Sequence, residues 1–184
     1  MHHSSNAVAA LAASLAIAGA ASAATAPAAP AATPAAAAKP AGPSDKAQIE
    51  ALEKSFIAAF SAKNADKVMS YYARDGLFVF DVSPPRQHVG WADYKTDWDG
   101  LLAAFPGPLS VELSDLSVTV VGSVAYGHCI QDAHFTTKDG AKVELVVRVT
   151  DVYRKIGGKW KIVQEHVSVP VDLDTQKPDL LSKP

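Results

Sequence analysis

Residues 143–170, VELVVRVTDVYRKIGGKWKIVQEHVSVP, hold two β-branched runs joined by a turn around Gly157 and Gly158, the signature of a β-hairpin. The register of this hairpin decides which side chains share a face, because strand side chains alternate and a one-residue slip exchanges the faces. A three-residue loop of Ile156, Gly157 and Gly158 sets Arg148 opposite His166, Thr150 opposite Gln164 and Arg154 opposite Trp160. One face then carries Val146, Arg148, Thr150, Val152, Trp160, Ile162, Gln164, His166 and Ser168. The other carries Leu145, Val147, Val149, Val163, Val167 and Val169. A two-residue Gly157-Gly158 loop sets Arg148 opposite Val167 instead. The three-residue register is preferred because it separates an apolar face from a mixed polar and aromatic one. Both faces are apolar enough to need cover.

Upstream, residues 7–23 form a short apolar run ending Ala21-Ser22-Ala23, the pattern of a secretory signal peptide cut after Ala23. The expected location is therefore the periplasm or the exterior. His2 and His3 at the start are read either as natural sequence or as a tag remnant. Residues 24–43 are almost wholly Ala, Pro and Thr, a composition that buries no core and predicts a disordered linker. A domain follows over residues 44–175, with a surface tail over 176–184. Ser44 is the expected cap of a first helix carrying Ile49, Leu52, Phe56, Ala59 and Phe60 at helical spacing and ending near Lys63. Asn64 caps a shorter helix reaching Tyr72, LFVFDV at 77–82 reads as a strand, and Trp91, Tyr94, Trp98, Leu101, Leu102 and Phe105 mark a third helix. Strands at about 109–121 and 123–137 then lead into the hairpin. Helices first and sheet later predict an α+β fold.

With 184 residues, 48% hydrophobic, and a net charge of −2, the chain has room for one core-forming domain and no basic footprint for nucleic acid or anionic membrane. The single cysteine, Cys129, excludes an intramolecular disulfide and a Cys/His zinc cluster. It reads as a small buried residue rather than a nucleophile.

The Arg-Val-Thr-Asp-Val-Tyr run at 148–153, Gly-Gly-Lys-Trp-Lys-Ile at 157–162 and Glu-His-Val-Ser at 165–168 resemble the last two strands of SnoaL-like proteins, in the wider superfamily of ketosteroid isomerase and nuclear transport factor 2. The resemblance implies an NTF2-like cone: a curved mixed or antiparallel β-sheet wrapped around N-terminal helices and enclosing a conical pocket. It implies no single reaction, since the fold hosts isomerases, cyclases, dehydratases and non-catalytic binders. In the isomerase branch the general base is an aspartate near Asp81, and Tyr72-Ala73-Arg74-Asp75 resembles the segment before it. The spacing to Asp81 is one residue wider here and asks for a bulge. The phenol that serves that branch maps to Phe56, which has no donor, so steroid isomerisation is not expected. Tyr71 or Tyr72 stands near enough to substitute.

The candidate catalytic residues are thus Asp81 and His166. In the preferred register Arg148, Gln164 and Ser168 join His166 in a donor-rich wall suited to a carboxylate, phosphate or enolate oxygen. The same residues read equally well as a structural cross-strand network. Trp98, Tyr72 and His128 complete the candidate ligand-binding set, although alternation alone leaves open which face of the 123–137 strand turns inward. A three-histidine site from His128, His134 and His166 has no recognised ligand spacing, so no metal and no cofactor are expected. The leading expectation is an exported protein binding a small, largely apolar molecule with a carbonyl or oxyanion group. The alternatives are an isomerase, cyclase or dehydratase with Asp81 or His166 as acid/base, and a non-catalytic association domain. In the preferred register the six aliphatic residues from Leu145 to Val169 lie on the convex side, which predicts a homodimer through that patch.

Overall fold

The computed structural model describes residues 42–183, so the proposed signal peptide at 1–23 and all but the end of the linker lie outside the described residues. Helix α1 (Asp45–Ser61) starts where Ser44 Oγ accepts from Ala47 N at 3.2 Å, and its inward stripe is Ile49, Glu53, Phe56, Ala59 and Phe60. Helix α2 (Ala65–Met69) is capped by Asn64 and stops three residues short of Tyr72, whose backbone bridges to Ile162. Strand β1 (Phe78–Phe80) is shorter than its six-residue pattern. It is followed by a two-residue β2 (His88–Val89) that no periodicity announces, and then by α3 (Trp91–Ala104).

Four long antiparallel strands complete the domain: β3 (Ser110–Val121), β4 (Val124–Thr136), β5 (Lys142–Ile156) and β6 (Lys159–Ser168). The sheet order is β2-β1-β6-β5-β4-β3, with β1 parallel to β6 and the other pairs antiparallel. Two bulges bend it, one in β3 between Ser114 and Ser117, where Asp115 has φ 53°, and one in β6 opposite Val152 and Tyr153. Extra residues of this kind sharpen strand twist, and the curved sheet closes on the helices as an NTF2-like cone. The tail forms a small hairpin of β7 (Val171–Asp172) and β8 (Lys177–Pro178), beyond which Leu180 O accepts from Val146 N at 2.7 Å.

The β5–β6 turn corrects the expected register. Gly157 and Gly158 have φ of 56° and 77°, and Ile156 pairs with Lys159, so the loop has two residues with left-handed backbone at both. Val163 is the extra residue of the β6 bulge, since Tyr153 pairs with Ile162 and Val152 with Gln164. Arg148 consequently lies opposite Ser168, and Thr150 opposite His166.

Candidate functional site

The bulge carries Trp160 and Ile162 over to the face of Val147 and Val149, and that face, not the one of Arg148, turns toward the helices. Val147, Val149, Asp151, Tyr153 and Glu165 are buried, whereas Arg148, Thr150, Gln164 and His166 are exposed. Leu145, Val147, Val149 and Val167 line an internal cavity of about 430 Å³ between sheet and helices. The convex aliphatic patch expected from the sequence therefore does not exist, and neither does the inward Arg148–His166–Gln164–Ser168 wall. His128 also points outward and is exposed, because the inner face of β4 is Ala125, Gly127, Cys129, Gln131, Ala133 and Phe135. His166 packs its ring against Phe80 at 5.6 Å, and His166 and Ser168 edge a shallow outer groove with Pro84, Pro85 and Arg86. Among the described residues no cluster of three His, Cys, Asp or Glu is placed to hold a metal ion.

The cavity is aromatic and acidic. Phe56, Phe60, Tyr94, Trp98, Phe105 and Phe135 supply rings, and its polar lining includes Asp81, Asp97, Glu165 and Gln131, with no Lys, Arg or His among the described lining residues. Of the residues singled out from sequence, Asp81 and Trp98 line it. Tyr72 stands behind it, holding Glu165. Trp98 is 5% exposed, and its indole N–H has no partner among the described residues.

Asp81 sits just past β1, where the chain leaves its pairing with β6. Its Oδ2 accepts from Tyr94 Oη at 3.0 Å and its Oδ1 from Ser83 N at 3.3 Å. Tyr94 is also 2.8 Å from Glu165 Oε1, and Tyr72 Oη donates to Glu165 at 2.9–3.0 Å. Burial pushes the Glu165 carboxyl up to about 7, against the two phenolic hydrogen bonds that favour its charged form. Asp97 is raised by burial as well, with the neighbouring His88 working the other way. His88 is buried against the Tyr94 ring, its Nδ1 3.2 Å from Asp93 Oδ2 and its Nε2 3.8 Å from Asp97 Oδ1.

Behind Glu165 the acidic groups continue into the core. Asp151 faces Glu165 across β5 and β6, and its Oδ1 is buried with no hydrogen-bond partner among the described residues. Tyr153 Oη lies 3.3 Å from Asp151 Oδ2 and 2.9 Å from Glu53 Oε1. Glu53 is pushed up to about 7 by burial, and Asp151 well above the carboxylate range by burial and by the charges of Glu165 and Glu53. These groups were missed in the sequence, yet two carried a signal. Glu53 interrupts the apolar stripe of α1 four residues after Ile49, and Asp151 shares the parity of Val147, Val149 and Tyr153.

The SnoaL-like domain family model matches residues 49–172. Among solved structures, an NTF2-like protein of unknown function from Pseudomonas putida KT2440 is 28% identical, with a TM-score of 0.69 over 76% of this chain and 96% of that one. A putative scytalone dehydratase from Novosphingobium aromaticivorans is 17% identical (TM-score 0.60, 66% and 80% covered). A ketosteroid isomerase-like protein from Erwinia carotovora atroseptica is 19% identical (TM-score 0.58, 67% and 94% covered). At that identity the last two share the fold alone. Comparison with curated proteins returns no match.

Proposed function

We propose, for a chain that belongs to the SnoaL-like domain family, that it is an acid/base catalyst of the isomerase or dehydratase kind acting on a small, neutral, largely apolar molecule. Asp81 takes a proton from the substrate, and Glu165, its carboxyl pushed up to about 7, supplies one. The observation that carries this is Tyr94, whose single hydroxyl joins Asp81 to Glu165 at the wall of an apolar cavity. No cation neutralises Asp81 among the described residues, since Arg148 stands on the far face of the sheet. The acidic lining disfavours carboxylates and phosphates, so the oxyanion-binding reading loses its basis, while a carbonyl or hydroxyl oxygen suits the unpartnered Trp98 N–H.

The test is Asp81→Asn assayed on neutral ketones and β-hydroxy ketones that fit about 430 Å³. Loss of about 100-fold or more in kcat with binding retained is the expected result for a general base. Undiminished turnover overturns the assignment. Export by residues 1–23 is part of the same proposal, and recovery from the native host of a chain still beginning at Met1 counts against it.

A further inference from the structure

The hydrogen bonds at the cavity do not end there. Asp81, Tyr94, Glu165, Asp151, Tyr153 and Glu53 form one line from the cavity wall to the inner face of α1, joined by hydrogen bonds except between the cross-strand partners Glu165 and Asp151, with Tyr72 attached at Glu165. Among the described residues no Lys, Arg or His pairs with Glu53, Asp151 or Glu165. The groups facing this line are Asp97 and His88 on the Tyr94 side and Cys129 on β4, and none supplies a positive charge to its inner half.

Protons must therefore do what cations do elsewhere. Five hydrogen-bonded contacts need five hydrogens, and the three phenols bring three. The other two have to sit on carboxyls, and a third proton between Asp151 and Glu165, buried opposite each other on neighbouring strands, leaves one negative charge among four acidic groups. Without those protons Asp151 Oδ1 is buried with no partner. Every donor in a line of this kind points toward the single charged member. Moving the charge from Glu53 to Asp81 requires only that each hydrogen pass one partner inward, with no heavy atom displaced.

We propose that these four carboxyls and three phenols share one negative charge along a proton-conducting line, and that Glu53, which does not line the cavity, thereby sets when Asp81 is free to accept a proton. Glu53 acts here as a positioning residue. Its importance to catalysis rests on the acid/base reading above, but the shared charge does not.

The experiment is infrared counting of protonated carboxyls in the substrate-free chain across pH, with Glu53→Gln and, as an exposed control on the same helix, Glu50→Gln. At neutral pH the wild-type chain is expected to retain two or three protonated carboxyls. Glu53→Gln is expected to lose one and to shift the titration of those remaining down by about one pH unit, because a nearby like charge has been removed. Glu50→Gln is expected to shift nothing. Absence of protonated carboxyls at neutral pH in the wild-type chain overturns the proposal whether or not the variant folds, as does an unshifted titration in folded Glu53→Gln. If Asp81→Asn abolishes turnover while the carboxyls titrate independently, the catalytic reading stands and the line falls. The reverse outcome separates them the other way.

Discussion

Tyr94 Oη lies 2.8 Å from Glu165 Oε1 and 3.0 Å from Asp81 Oδ2, so two carboxyls contend for one phenolic hydrogen. Tyr94→Phe keeps the ring and removes that hydrogen. Because the Tyr94 bond holds the Glu165 carboxyl down, its loss should move Glu165 further up, as read by carboxyl-carbon NMR across pH. Leaving buried acceptors short of a donor should also cost about 1–3 kcal/mol in urea unfolding. A Glu165 titration unchanged in Tyr94→Phe would show that the two groups are not coupled.

The buried acids also set the sign of the pH dependence of stability. Glu53 and Glu165 are raised from the ordinary 4.5 to about 7, so the folded chain binds more protons than the unfolded one between those values. Their contribution is complete below about 4.5 and lost as pH rises through about 7. Asp45, lowered by hydrogen bonds from Lys155 and Trp160, acts in the opposite direction and only in stronger acid. Unfolding free energies from urea titration should therefore fall between about pH 4.5 and pH 7, by on the order of 3 kcal/mol for one such group. Glu165→Gln should flatten the slope. A flat wild-type profile would mean the acids are better solvated than their burial indicates.

The cone was legible because it is written in long patterns: an apolar stripe on α1, aromatics at helical spacing on α3, and alternation over β3 to β6. The site was legible only in part. Asp81 and Trp98 were placed by resemblance and by helical spacing, and both line the cavity. Arg148, His166, Gln164 and Ser168 do share a face, but it turns outward, and the bulged residue Val163 carries Trp160 and Ile162 across to the inner face. A bulge leaves no mark in composition, and separating polar from apolar residues misleads when the inner face itself carries Asp151 and Glu165. Tyr94 stands out in the sequence only as a helix-spaced aromatic, because its ring spacing is visible while the partner of its hydroxyl, 71 residues away, is not.

The outward turn of the Arg148 face has a mutational signature. Arg148 is exposed, so Arg148→Met should leave ligand affinity and stability within about 0.5 kcal/mol of the parent. Val147 is 5% exposed on the cavity side, so Val147→Glu should unfold the domain or cost more than about 3 kcal/mol rather than shift an assembly equilibrium. Circular dichroism with sedimentation separates these outcomes. A folded, monomeric Val147→Glu would restore the convex patch and refute the face assignment.

Two glycines give a last test of how tightly the sheet holds Tyr153. A Cβ at Gly127 would stand 3.0 Å from Ser117 O, beside the β3 bulge, and 3.4 Å from both Cε2 and the hydroxyl of Tyr153. Neither neighbour yields easily, the first being strand backbone and the second a ring anchored at its hydroxyl by Glu53 and Asp151. Gly127→Ala should therefore cost about 1–3 kcal/mol, as overpacking of a filled interior does, and should disturb the titration of Glu53. Gly100, within α3, meets nothing inside 4 Å and has no left-handed backbone. Gly100→Ala should stabilise the helix by about 0.5–1 kcal/mol through backbone entropy alone. Urea unfolding of the pair reads both signs in one measurement. Equal effects from the two substitutions would mean that Tyr153 can move aside, and that the hydrogen-bonded line behind the cavity is looser than its distances imply.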